Sequence, residues 1–276
     1  MKIDHLGKQV EYPSHYTPSL LQGLPRHTLR EALNLTEASL PFHGIDYWNA
    51  YEFSWLTPNG KPEVRFLTLQ VPCDSTHIVE SKSLKLYLGS FNMSPFQSEQ
   101  EVLQRLEVDL SKVIGASVKV RLESLQAPSR PIVDDLQGVA LDALDPKVTH
   151  FDYRPALLDA KVPDGSRTCV KERLYSHLFR SLCPVTGQPD WATLVIDYEG
   201  APIRHENLLR YMLSFRNHAA FHEDCVERIF IDLITHSQPE WLTVAAYFTR
   251  RGGIEINPVR SNRADIDQHN VRMARQ

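Results

Sequence analysis

The chain's 276 residues leave room for two domains of ordinary size, and 42% hydrophobic with 23% charged residues is the balance of a folded globular protein. A formal net charge of -4 argues against a nucleic-acid groove or an anionic membrane surface as the main partner. No segment approaches the ~18 uninterrupted apolar residues of a membrane span, and the opening MKIDHLGKQVEYPSHYTP holds no apolar run, so a cytoplasmic protein without a secretory leader is expected.

In chain order, YEFSWL (51–56) and VRFLTLQV (64–71) flank the turn PNGKP, which predicts a hairpin. A helical stretch follows from about Ser98 to Val113, then a strand-like ASVKVRLE. From about Ser124 to Asp164 periodicity fades among Pro, Asp and Gly, as in a connector. WATLVIDY (191–198) reads as a strand, and EDCVERIFIDLI (223–234) as an amphipathic helix with Val226, Ile229, Phe230, Leu233 and Ile234 on one stripe. Leu242 to Phe248 alternates as a strand, and Arg250-Arg251-Gly252-Gly253 turns it into Ile254 to Ile256.

The two halves echo each other. Tyr87, Ser90-Phe91, Arg105 and Asp109-Leu110 recur as Tyr211, Ser214-Phe215, Arg228 and Asp232-Leu233, at a step of 124 residues for the tyrosines and 123 for the arginines. The agreement extends to the order of elements, so the expectation is an internal duplication: two α+β modules, each an antiparallel sheet with helices on one face. The module boundaries fall at 1–124 and 165–276, with 125–164 as connector. The duplication is unequal. CPVTGQPD has no counterpart in PNGKP, and ESKSLK (80–85) none in ENLLR, which suggests a site built from both halves.

Cys73, Cys169, Cys183 and Cys225 form no C-x-x-C pair, so neither a disulfide framework nor a zinc ribbon is indicated. Cys183 precedes a turn that returns the chain to Asp190. An aspartate beside a thiolate does not ease its ionisation; the pair suits addition to an electrophile with proton delivery. On spacing alone an ordinary surface turn stands as the other reading. His218 and His222, at i and i+4, could chelate a metal, but H-E-x-x-H is absent, and a helix start with Glu223 and Asp224 in its first turn is more natural. Glu223 could alternatively read the N–H edge of a guanine-like ring. With no G-x-G-x-x-G and no Walker motif, phosphates would fall to Lys82, Lys85, Arg250 and Arg251, which serve equally as a solvated basic face.

Taken together, LPFHG (40–44), ESKSLKLYLGSFN (80–92), CPVTGQPDW (183–191), LLRYMLSFRNHAAFHEDCVERIF (208–230) and YFTRRGGIEINPVRSN (247–262) resemble the NADPH-dependent 7-cyano-7-deazaguanine reductases, the nitrile reductases of queuosine biosynthesis, in their long two-module form. The resemblance implies tandem tunnelling-fold (T-fold) modules in a homodimer, acting on the small-molecule nitrile with NADPH and without binding nucleic acid directly. It implies Cys183 as the nucleophile that forms a thioimidate and Asp190 as the proton donor. Glu80, Ser81, Lys82, His222 and Glu223 would bind substrate, and Lys82, Ser83, Arg251 and Gly252 would bind NADPH, with no metal. In that arrangement the helix carrying Glu223 faces the nucleophile, which makes Cys225 a candidate partner for Cys183 in a reversible protective disulfide. Two alternatives are a zinc-dependent, cyclohydrolase-like pterin or purine enzyme using His218 or His222 with a cysteine, and a non-catalytic binder of guanine-like ligands.

Overall fold

A computed structural model describes residues 13–36, 39–126, 130, 132–133, 135–159, 169–264 and 270–276. Most of the opening stretch read for a leader lies outside these residues, as do parts of the connector. In chain order the elements are β1 (Gly23–Pro25), α1 (Arg26–Arg30), β2 (His43–Leu56), β3 (Pro62–Pro72), β4 (His77–Val79), α2 (Ser81–Gly89), α3 (Glu99–Ile114) and β5 (Lys119–Glu123). They continue with β6 (Ile132–Val133), β7 (Val139–Ala140), β8 (Val170–Leu182), β9 (Pro189–Gly200), α4 (His205–Leu213), α5 (His222–Ser237), β10 (Trp241–Phe248), β11 (Ile254–Ser261) and β12 (Arg272–Met273). The chain divides into two units. The first takes the described residues within Met1–Leu40, Ile45–Pro131 and Arg250–Glu255, and the second those within Pro41–Gly44, Ile132–Thr249 and Ile256–Gln276.

In the first unit, β2 and β3 form the predicted antiparallel hairpin, and β5 adds antiparallel to β3, giving the order β5-β3-β2. Helix α3 starts where the sequence indicated, because Ser98 Oγ accepts the Glu101 N–H (3.2 Å), and ends on Gly115 at φ +72°. Its Val102, Leu106, Leu110 and Ile114 recur every fourth residue and are fully buried. Burying each such side chain stabilises by about 1.5–3 kcal/mol. The turn at 250–253, in the second half of the sequence, belongs to this unit. Tyr51 N–H donates to the Gly253 carbonyl (3.2 Å), and buried Glu255 accepts from Tyr51 Oη (2.8 Å) and Asn49 Nδ2 (3.1 Å) while pairing with Arg130.

The second unit orders its strands β11-β10-β9-β8-β7. All neighbours are antiparallel except β7, which pairs parallel with β8 over two residues (Val139↔Leu174, Ala140↔Tyr175). A short parallel pair, β12 with β6, lies apart. The sheets are therefore antiparallel at their cores and mixed at their margins. Helix α5 packs on β10 with Val226, Ile229, Phe230 and Leu233 buried, as predicted; Ile234, at the edge of the stripe, is half-buried. The LPFHG segment is held here by a buried ion pair, Arg260 to Glu227 (2.8 Å), with Phe42 against the rings of Phe230 and the Arg260 guanidinium.

The sequence echo corresponds to an equivalent hydrogen-bond network in each unit. Tyr87 Oη donates to Asp109 (2.7 Å) and Tyr211 Oη to Asp232 (2.5 Å), while Ser90 and Ser214 hydroxyls close onto the Tyr87 and Tyr211 carbonyls (2.6 and 2.7 Å). A second tyrosine joins each carboxylate, Tyr16 on Asp109 and Tyr153 on Asp232. Arg105 then lies over Tyr16 and Arg228 over Tyr153. Tyr153 sits in YRPAL, which matches YTPSL around Tyr16, so the stretch without periodicity contains the first piece of the second network.

Candidate active site

Cys183 follows the last residue of β8, at the mouth of the β8–β9 hairpin, and is half-buried. The turn is tight because Cys183 N–H donates to the Gln188 carbonyl (2.9 Å) and Gly187 N–H donates back to the Cys183 carbonyl (3.0 Å). Gly187 at φ +68° takes the left-handed conformation that the reversal needs. On the other side, Leu182 exchanges hydrogen bonds with the 218–220 segment (Leu182 N–H to His218 O, 2.9 Å; Ala220 N–H to Leu182 O, 3.1 Å). The nucleophile candidate is thus gripped by its own hairpin and by the segment that leads into α5. Burial works against a thiolate at Cys183, but hydrogen bonds from the Thr186 hydroxyl and from the Thr186 and Val185 amides outweigh it, and the thiol lies below its ordinary value despite the nearby Asp190.

Asp190 is directly across the hairpin from Ser181 and is buried. His222 opens α5, with Nε2 3.4 Å from Asp190 Oδ2. Its ring lies parallel to Phe248 with centroids 3.7 Å apart, which fixes its plane, and its Nδ1 is buried without a hydrogen-bond partner among the described residues. Glu223, next on α5, is also buried. Helix α5 starts without a side-chain cap, and its dipole favours the acids of the first turn, Glu223 and Asp224. Cys183, Asp190 and His222 therefore belong to one constellation within the second unit, with Glu223 next to His222 on α5.

Cys225, one turn on, is fully buried, and its thiol is pushed far up by burial and by the charges of Asp224 and Asp190. Cys183 and Cys225 are both free thiols. Behind them, burial raises the Asp224 carboxyl to about 6 against the pull of Arg228, and burial lowers His218 to about 4 with Arg228 adding to it.

Glu80, Ser81, Lys82, Ser83, Arg251 and Gly252 lie in the first unit. Glu80 is buried and caps α2, accepting from the Lys82 N–H (2.9 Å) with one oxygen and the Ser83 N–H (2.7 Å) with the other, which leaves each oxygen a further lone pair. Gly252 has φ +61°, and a Cβ added there would meet Lys85 Cδ at 3.4 Å, so the Arg-Arg-Gly-Gly turn lies against the basic face of α2. Arg250 stacks over Tyr51 at 4.3 Å.

Against known proteins, residues 12–122 match the family described as "Nitrile reductase, 7-cyano-7-deazaguanine-reductase N-term", and residues 189–266 match "QueF-like protein". A protein of Dechloromonas aromatica named NADPH-dependent 7-cyano-7-deazaguanine reductase is 49% identical over 98% of this chain and 94% of its own length. One of that name from Burkholderia orbicola is 50% identical over 98% of both chains. The chain belongs to the 7-cyano-7-deazaguanine reductase family. It has the long form, with both matched modules, and is an α+β protein of T-fold-like modules. A solved structure, the archaeosine synthase QueF-Like in the apo form, shares 17% identity at a TM-score of 0.31, covering 36% of this chain and 99% of that one.

The zinc reading of the histidines finds no donor set. Among the described residues, the group of three or more His, Cys, Asp or Glu atoms close enough to share an ion is Cys169, Glu199 and Glu240, which includes neither His218 nor His222. A cavity of about 350 Å³ in the second unit, bounded by Arg173, Asp197, Trp241 and Arg263, also contains none of the reductase-family site residues. Two residues packed around α5 carry little signal in the sequence. Phe248 orients His222, and only its alternation as a strand residue was visible. Asp224 was visible as a first-turn acid, but its burial beside Arg228 depends on tertiary packing.

Proposed function

We propose that this protein reduces the nitrile of 7-cyano-7-deazaguanine to the aminomethyl group of 7-aminomethyl-7-deazaguanine, a four-electron, NADPH-dependent step of queuosine biosynthesis. Membership of the family supports the overall reaction, with about half of all residues identical to proteins bearing that activity in their names. The observation that carries the mechanism is the β8–β9 hairpin, which presents a thiol biased toward thiolate beside a buried carboxyl group and an imidazole.

Cys183 Sγ adds to the nitrile carbon, forming a C–S bond as one C–N π bond opens, and the nitrogen takes a proton delivered by Asp190. The product is a covalent thioimidate with no net change of oxidation state. Sulfur suits the task because it adds readily and later leaves as a good leaving group, breaking the same C–S bond. His222, held flat on Phe248 and next to Asp190, positions that proton donor. Glu223, buried and acceptor-only when ionised, suits the paired N–H donors of a guanine-like edge. Glu80 and Ser81, in the first unit, stand as the further substrate-binding candidates that the family resemblance implies.

The first unit carries the residues assigned to NADPH by the family resemblance. The Gly252 turn permits close backbone approach, and Lys82, Lys85 and Arg251 belong to the same unit, with Ser83 at the start of α2. When bound, NADPH supplies hydride, two equivalents for each nitrile. The module assignment 1–124, 125–164 and 165–276, a homodimer and a cytoplasmic location complete the reading. The modules rest on the internal duplication and the aperiodic connector and the homodimer on the family resemblance, and no helix among the described residues is long and apolar enough to cross a membrane. NADPH consumption in the presence of 7-cyano-7-deazaguanine, at two equivalents per nitrile, tests the function; no consumption with folded protein overturns it.

A further inference from the structure

The Cys-Pro-Val-Thr-Gly turn has the pattern of a capped helical turn. The Gly187 N–H to Cys183 C=O bond (3.0 Å) spans four residues, as in the first turn of an α-helix, and Gly187 at φ +68° stops it after one turn. Cys183 then occupies the capping position, where a side-chain acceptor faces the amides two and three residues on, those of Val185 and Thr186. Pro184 occupies the first turn position, where its missing N–H is no loss and its fixed φ is already suitable. Thr186 stands where a capping box places its reciprocal side chain. Its Oγ1 accepts from the Gln188 N–H (3.3 Å), which leaves its own proton to be donated.

We propose that Thr186 is a further catalytic residue, whose hydroxyl, with the Val185 and Thr186 amides, donates hydrogen bonds to the reacting sulfur of Cys183. This rests on the reading of Cys183 as nucleophile. It also explains how a thiolate persists beside Asp190: three donors of one short turn supply the stabilisation that a histidine or lysine supplies elsewhere, and the lowered position of the Cys183 thiol agrees with them. Asp190 is thereby left to deliver a proton to nitrogen instead of serving the sulfur.

The test is the pH dependence of Cys183 alkylation by iodoacetamide, followed by peptide mass spectrometry in the full-length protein, wild type against Thr186→Val and Thr186→Ser. Thr186→Val should move the midpoint of labelling upward by about one pH unit, and Thr186→Ser, which keeps the hydroxyl, should stay near wild type. Thr186→Val should also lower kcat/KM without altering equilibrium binding of the nitrile to a Cys183→Ala background. Superimposable profiles for wild type and Thr186→Val overturn the assignment. If Thr186→Val does not fold, a Thr186→Ser profile displaced as far as that of Thr186→Ala overturns it instead. A Cys183→Ala protein that still reduces the nitrile would overturn the nucleophile reading; one that is inactive while Thr186→Val titrates normally overturns this inference alone.

Discussion

His222 Nε2 lies 3.4 Å from Asp190 Oδ2, with the imidazole stacked on Phe248. The contact joins the start of α5 to the second residue of β9, so the carboxyl proposed as proton donor is set by a strand, a helix and an aromatic floor. Asp190→Asn keeps the shape and removes the carboxyl group proposed to transfer the proton. Turnover and covalent capture of the nitrile should fall by at least ~10²-fold, the usual contribution of general acid–base catalysis. Binding of the nitrile measured by calorimetry on a Cys183→Ala background should remain largely intact.

Glu223→Gln replaces a buried carboxyl by an amide, which on the proposed reading turns a donor toward the ligand's N–H edge. A hydrogen bond to a charged group is worth roughly 1.5–3 kcal/mol, so the Kd for the nitrile should rise roughly 10–100-fold. Iodoacetamide labelling of Cys183 should be unchanged, because the donors proposed for the thiol, Thr186 and Val185, lie in its own turn.

Gly252→Ala forces a side chain into a left-handed backbone, a strain of about 1–2 kcal/mol. The same methyl meets Lys85 at ordinary contact distance, so the strain and lost backbone approach dominate. KM for NADPH should rise by roughly tenfold, while adduct formation without NADPH proceeds as in wild type. Steady-state kinetics alongside intact mass separates the two effects.

Acid stability should reveal the pair behind the site. Asp224 titrates at about 6 in the folded protein, above its value of about 4 when unfolded; its contribution is full below pH ~4 and lost as pH rises through 6. His218 titrates at about 4, below its unfolded value of about 6.5; its contribution is full above pH ~6.5 and lost as pH falls through 4. Between pH 4 and 6 the two slopes oppose each other. In Asp224→Asn only the histidine remains, so urea midpoints should decline more steeply from pH 6 to 4 than in wild type.

Much of this fold was legible because its signals are local. PNGKP marks the first hairpin, Ser98 and Gly115 bound α3, and the stripe from Val226 to Leu233 faces the core. Strand β8 was not legible. A register shift between Ser176 and Phe179 breaks its alternation, and charged residues occupy several of its early exposed positions. Helix α2 was hidden because a glutamate caps it, outside the usual Ser, Thr, Asp and Asn set. YRPAL was missed as a repeat because its partner YTPSL shares only a tyrosine, a proline and a leucine, and their equivalence lies in the carboxylates they reach. In the site, Cys183 and Asp190 were visible from spacing. Thr186 had a signal too, the cysteine-to-threonine step of a capping box, but that pattern is ordinarily sought with serine or threonine in the first place.

The most direct test is incubation of the protein with 7-cyano-7-deazaguanine without NADPH, followed by intact and peptide mass spectrometry. The account predicts one covalent adduct of the full substrate mass on the peptide containing Cys183, absent in Cys183→Ala. An unmodified protein that is nevertheless active, or an adduct on another residue, would contradict it.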